Sequence, residues 1–115
     1  MATLMIRVET EAEWSARIVR DAEHGEPQPP GYSFRTEVEL LDTLSGNRWG
    51  ILKALAGAGP IGVRELARRV GRDVRVVHAD AQRLAGIGLI EKLPNSKLYF
   101  PYDAVHLELS FKAAA

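Results

Sequence analysis

Leu4, Ile6 and Val8 occupy alternate positions across residues 3–9. That period of two predicts a half-buried strand. Thr10, with Glu13 three residues on, has the spacing of a capping box and predicts a helix start. Trp14, Ile18 and Ala22 then recur every four residues, and Gly25 supplies a stop. On this pattern Trp14 is a core residue. Residues 25–33, GEPQPPGYS, hold three prolines and two glycines. Such a stretch is expected neither to continue a helix nor to enter a sheet. It reads as a linker or extended crossing segment, or as a rigid surface loop within one domain.

Thr36 and Glu39 repeat the capping spacing, with Val38, Leu41 and Leu44 as a short apolar face. Trp49, Leu52, Leu55 and Ala56 mark the next helix, ended by Gly57, Gly59 and Pro60. Val63, Leu66, Ala67 and Val70 mark another, stopped at Gly71. Gly62 stands at its cap position, where a side chain that could accept a hydrogen bond is missing, so a weak cap is expected. Asp73 caps a further helix whose inward stripe is Val77, Ala81 and Leu84. Residues 89–100 read as strand, turn at Pro94-Asn95-Ser96, strand. Val105, Leu107, Leu109 and Phe111 alternate with His106, Glu108 and Ser110, predicting a final strand over 104–111.

From residue 46 the predicted order is helix, helix, tight turn, helix, hairpin. Leu66-Ala67, the turn glycine Gly71, the cap Asp73, and Leu84 leading into Gly88-Leu89-Ile90-Glu91 carry a resemblance. The stretch resembles the winged helix-turn-helix of prokaryotic MarR-like transcriptional regulators. The closing PYDAVHLELSF further resembles small MarR-like predicted regulators, some encoded beside a toxin and treated as antitoxin-like. The resemblance implies an α+β, mainly α fold: a winged helix-turn-helix with flanking N- and C-terminal strands. It implies a recognition helix over about 73–86 and a wing over about 89–100. Its domains would be a strand-helix arm with Pro-rich linker over 1–30, and the DNA-binding domain with C-terminal strand over 31–115.

The helix periodicity points the same way independently. At about 100° per residue, Arg75, Ala79 and Gln82 fall opposite the Val77–Ala81–Leu84 stripe. Arg can fork onto guanine, Gln onto adenine, and Ala admits close approach. The plain alternative is a solvated charged face. Val76, His78 and Arg83 flank this face; Arg64, Arg68, Arg69 and Arg72 precede it, and Lys92 and Lys97 lie on the wing. In this docking geometry the first helix of the pair crosses the phosphate backbone, which positions without reading sequence.

Charge sharpens the picture. The 115-residue chain has 15 basic and 15 acidic residues. Residues 1–45 hold 4 basic against 9 acidic, and residues 46–115 hold 11 against 6. Two surfaces with different partners are expected. The excess on residues 60–92 is only 7 basic to 4 acidic, which favours a homodimer on double-stranded DNA. Leu4, Ile6, Trp14, Leu107, Leu109 and Phe111 are the candidate contacts to a second copy or a toxin-like protein partner. The two outer strands are expected in one sheet, within or between protomers. The rival function is a protein-interaction module gripping a basic partner through the acidic half.

Hydrophobic residues at 46% place the chain among globular proteins. No apolar run suits a membrane, and no basic stretch leads into a long apolar one, so neither membrane nor signal peptide is expected. Absent cysteine excludes disulfides and thiolate chemistry and fits a cytoplasmic protein. Gly57, Gly59 and Gly62 match G-x-G-x-x-G, but helical spacing precedes them and no βαβ series surrounds them, so no cofactor is expected. His24, His78 and His106 lie on three elements, without metal-site spacing. The serines stand in no nucleophile motif. No catalytic residue, metal or cofactor is assigned, and no enzyme is expected.

Overall fold

A computed structural model describes residues 2–25 and 29–114. The elements run β1 (Thr3–Val8), α1 (Glu11–His24), β2 (Gly31–Phe34), α2 (Glu37–Thr43), α3 (Gly46–Leu55), α4 (Val63–Val70), α5 (Val74–Gly86), β3 (Glu91–Lys92), β4 (Leu98–Tyr99) and β5 (Ala104–Glu108). Strands β2, β1 and β5 form one sheet in that order, all parallel. Strands β3 and β4 form an antiparallel hairpin. Ile61 and Leu98 exchange backbone hydrogen bonds of 3.0 and 2.8 Å, tying the loop before α4 to this hairpin. Helices α4 and α5 joined through a tight turn and followed by the hairpin make a winged helix-turn-helix, with the parallel sheet of chain-end strands added to it.

The expected strand over 3–9 and the Thr10 capping box are present. The Thr10 hydroxyl accepts from the Glu13 N–H, and the Glu13 carboxylate accepts from the Thr10 N–H. Several expectations need correction. The first is Leu4 and Ile6 as contacts to another chain. They are 3% and 0% exposed and lie in the core that also holds Leu66, Val77 and Leu84. As the middle strand of three, β1 has no free edge, and its apolar side is consumed internally. The second is Trp14 as core. Helix α1 buries no residue, and Trp14 is 46% exposed.

The third concerns residues 25–33. Residues 26–28 of that stretch lie outside the described residues, but its end joins the sheet as β2. An edge strand tolerates the preceding prolines because it needs hydrogen bonds on one side only. There the Pro30 carbonyl accepts from Met5 N–H at 2.9 Å. Around α2, Leu40, Thr43 and the expected Leu44 are buried, while Val38 and Leu41 are exposed, so the inward face keeps Leu44 but is otherwise rotated from the expected one. Adjacent leucines at 40 and 41 satisfy either phase, and packing chose Leu40. The final strand stops at Glu108, short of residue 111.

Polar bonds tie α1 to the sheet. Glu9, 8% exposed, takes a two-point hydrogen bond from Arg17 on α1, at 2.7 and 3.1 Å, and one from the Ser33 hydroxyl on β2 at 2.6 Å. Arg17 lowers the Glu9 pKa from its ordinary 4.5; burial opposes, and Ser33 and the Arg7 charge add to the lowering. A lowered native pKa contributes stability that is complete above the unfolded value and lost as pH falls through the native one. Wild-type stability is therefore expected to decline below about pH 4.5. Glu9→Gln should be weaker at pH 7 and show a flatter acid limb, read by urea unfolding from pH 7 to pH 3. Parallel acid limbs for the two proteins would contradict this.

Candidate nucleic-acid interface

Helix α5 is held by both its ends and its inner face. Asp73 accepts from the Arg75 N–H at 2.8 Å, capping the start as the sequence implies. Gly71 ends α4 at φ 70°, a conformation that a Cβ would disfavour, and so makes the tight turn. Gly62 makes no side-chain cap at the start of α4, as expected. Val77, Ala81 and Leu84 are 0–1% exposed, which spends the inward stripe on the core. The Tyr32 hydroxyl donates to the Ile87 carbonyl at 2.7 Å, fastening the far end of α5 to β2. Burial, then the Glu39 charge, raises the Tyr32 pKa, keeping this phenol a donor.

The outward face carries Arg75, Val76, His78 and Ala79, all exposed, with Gln82 half-buried beside them. Gln82 Nε2 lies 3.2 Å from His78 Nε2. Across a notch of about 130 Å³, His78 and Gln82 face Lys92 and Ser96 of the wing. At the wing tip Ser96 takes φ 67°, and the Asn95 side chain accepts from the Lys97 N–H at 3.1 Å. Lys97 and, on α4, Arg64 are exposed, and neither has an ion-pair partner among the described residues. Arg75 has a 90% exposed side chain with only an Asp73 oxygen nearby, at 3.5 Å. The fold thus brings Arg75, Val76, His78, Ala79, Gln82 and Lys92 onto one surface.

The remaining candidate arginines have carboxylate partners. Arg68 and Arg69 share Glu65, and Arg68 foremost holds that carboxyl below its usual range. Arg83 pairs with Asp42 of α2 at 2.8 Å. Arg72 is largely buried and pairs with Asp80 at 3.1 Å. The other Asp80 oxygen takes Arg48 of α3, also at 3.1 Å, and Arg48 donates to the Thr43 and Asp42 carbonyls at the end of α2. Sequence reasoning missed Arg48 and Asp80. Periodicity places Asp80 beside the inward stripe, but its partners lie 8 and 32 residues away, and no local pattern joins them.

The fold defines the chain as a winged helix-turn-helix protein. It belongs to the HVO_A0114 family, which matches residues 43–107. The chain is also similar in structure to "the predicted DNA-binding transcriptional regulator from E. coli", at 17% identity and a TM-score of 0.49, covering 76% of this chain and 84% of that one. No curated protein matches it.

No helix among the described residues is long and apolar enough to cross a membrane. Asp80→Ala would take the carboxylate partner from Arg48 and Arg72, leaving Arg48 only its bonds to the Thr43 and Asp42 carbonyls. It should lower stability by roughly 2–3 kcal/mol, the scale of charged hydrogen bonds lost at partly screened sites. A urea midpoint unchanged from wild type would show that Asp80 does not organise these helices.

Proposed function

We propose that this protein is a cytoplasmic, sequence-specific double-stranded DNA-binding transcriptional regulator of the MarR-like type, and not an enzyme. One observation carries the reading. The inward face of α5 is fully occupied by core, while its outward face presents a fork donor, an amide, a small residue and an apolar residue beside a basic wing. In this reading α5 enters the major groove. Arg75 and Gln82 read base edges, Ala79 permits close approach, and Val76 offers apolar contact to a thymine methyl. Arg64, His78, Lys92 and Lys97 contact phosphates, and the hairpin lies along the backbone. Arg68, Arg72 and Arg83 contribute mainly through field and positioning, since each already has a carboxylate partner. A moderate basic excess favours binding as a homodimer, with half-sites about one DNA turn apart. The division at residue 30 is then one of surfaces and not of cores.

A second reading rests on the acidic first 45 residues, whose α2 exposes Val38 and Leu41. It makes the chain an antitoxin-like interaction module for a basic, toxin-like partner. Both functions can coexist, because they use different surfaces.

Gel shifts against the DNA upstream of the protein's own coding sequence, and against a scrambled copy at two salt concentrations, test the DNA reading. Arg75→Ala should cost roughly 1–3 kcal/mol on the preferred DNA and relax specificity at one base. Lys97→Ala should weaken both DNAs alike and reduce the salt slope by about one charge. Equal loss on both DNAs for Arg75→Ala would make Arg75 a phosphate contact. No effect from either variant would remove α5 from the groove and favour the interaction module.

A further inference from the structure

We propose that a second copy of this chain adds antiparallel to the free edge of β5, about a two-fold axis through Leu107, so that two three-stranded sheets become one of six. This deepens the two-copy part of the reading above by naming the seam.

The sheet has two edges, and they differ. Strand β2 is four residues long and is preceded directly by Pro29 and Pro30, which blunt it against further pairing. Strand β5 has no proline, and among the described residues no other strand faces its outer backbone groups. From its end, Leu107, Leu109 and Phe111 stand 37%, 42% and 87% exposed. Beside the same edge, between α3 and β5, lies a groove of about 330 Å³ lined by Trp49, Leu52, Ala56 and Val105, with Lys53 and Asp103 at its rim. Exposed apolar side chains and an apolar groove on one chain are the self-complementary pair that a two-fold interface requires.

The register follows from matching both faces. Paired antiparallel residues share a face, and slipping by one residue would turn every side chain over. Centred on Leu107, the seam sets Leu107 against itself, His106 against the partner's Glu108, and Val105 against the partner's Leu109. Ala104 meets the partner's Ser110. The two imidazole–carboxylate juxtapositions give charge complementarity, and like charges are nowhere opposed. The partner's Leu109, beside Val105, reaches the α3–β5 groove. The partner's Phe111, opposite Asp103, covers its end. Both copies do the same, so the groove and the exposed side chains disappear together.

Because the chain has no cysteine, the seam can be read without background. Cα atoms directly opposite in an antiparallel pair lie about 4.5–5.5 Å apart, within disulfide reach, whereas diagonal neighbours at about 7–8 Å lie beyond it. Under mild oxidation of the full chain, Leu107→Cys should become a covalent dimer. His106→Cys mixed with Glu108→Cys should cross-link efficiently, while each alone should not. Leu109→Arg, at an exposed position beyond the strand, should keep its circular dichroism and sediment as a monomer where wild type sediments as a dimer.

A wild-type monomer at about 50 μM, far above the Kd of ordinary stable dimers, would overturn the proposal. So would a wild-type dimer in which Leu107→Cys fails to cross-link, or a Leu109→Arg protein that remains dimeric. All these readouts are taken without DNA, so failure of the seam and failure of the DNA reading are separately visible.

Discussion

One carboxylate sets where α5 points. Asp80 divides its two oxygens between Arg48 on α3 and Arg72 after the α4–α5 turn. Arg48 also closes the end of α2 through two backbone carbonyls. Side chains of opposite charge with few routes to water depend on each other, since losing either partner leaves a charge poorly solvated. The apolar stripe of α5 decides which face turns inward. It does not by itself prevent the helix from sliding along or rotating on its neighbours, since apolar contacts are non-directional. The Asp80 pairs supply direction. They also take Arg72 out of the set of cations available to a ligand.

The parallel sheet is unusual in how it is covered. Parallel strands are ordinarily buried on both faces. Here Leu4, Ile6 and Phe34 pack into the helical core, but the other face lies toward α1, none of whose residues is fully buried. The connection there is the Glu9–Arg17–Ser33 hydrogen-bond cluster, with a guanidinium fork matched to a carboxylate. Such a contact fixes orientation while contributing less apolar burial than a packed helix would. Trp14 and Val19 consequently remain exposed on α1.

The zero net charge conceals a division that the fold gives physical meaning. Glu9, Glu13, Glu37 and Glu108 line one cleft at the ends of the parallel strands together with Arg7, and Glu9 and Glu108 have arginine partners there. The exposed cations Arg64, Arg75, Lys92 and Lys97 lie on α4, α5 and the wing. The exposed basic residues and the acidic excess of the first 45 residues thus lie on different elements, so a charged partner approaching the chain would feel a different field on each. The moderate size of the basic excess is further reduced by pairing with Glu65, Asp42 and Asp80.

What the sequence determined alone was everything governed by neighbours along the chain. The Thr10 and Asp73 caps, the Gly71 turn, the Val77–Ala81–Leu84 stripe, the wing turn and the alternation of β1 all follow from spacing of a few residues, and all are present. The outward face of α5 was legible for the same reason, as the complement of a clear stripe. The tertiary structure decided what depends on residues far apart. It chose Leu40 over Leu41 and left Trp14 in water, because burial depends on which surface arrives opposite. It turned Leu4 and Ile6 from candidate contacts into core by placing β1 between two strands from distant parts of the chain. It drew the end of the Pro-rich stretch into the sheet as an edge. It also assigned Arg68, Arg72 and Arg83 to carboxylates. An arginine looks the same in sequence whether it awaits a ligand or is already bonded, because only the spatial approach of a carboxylate distinguishes the two.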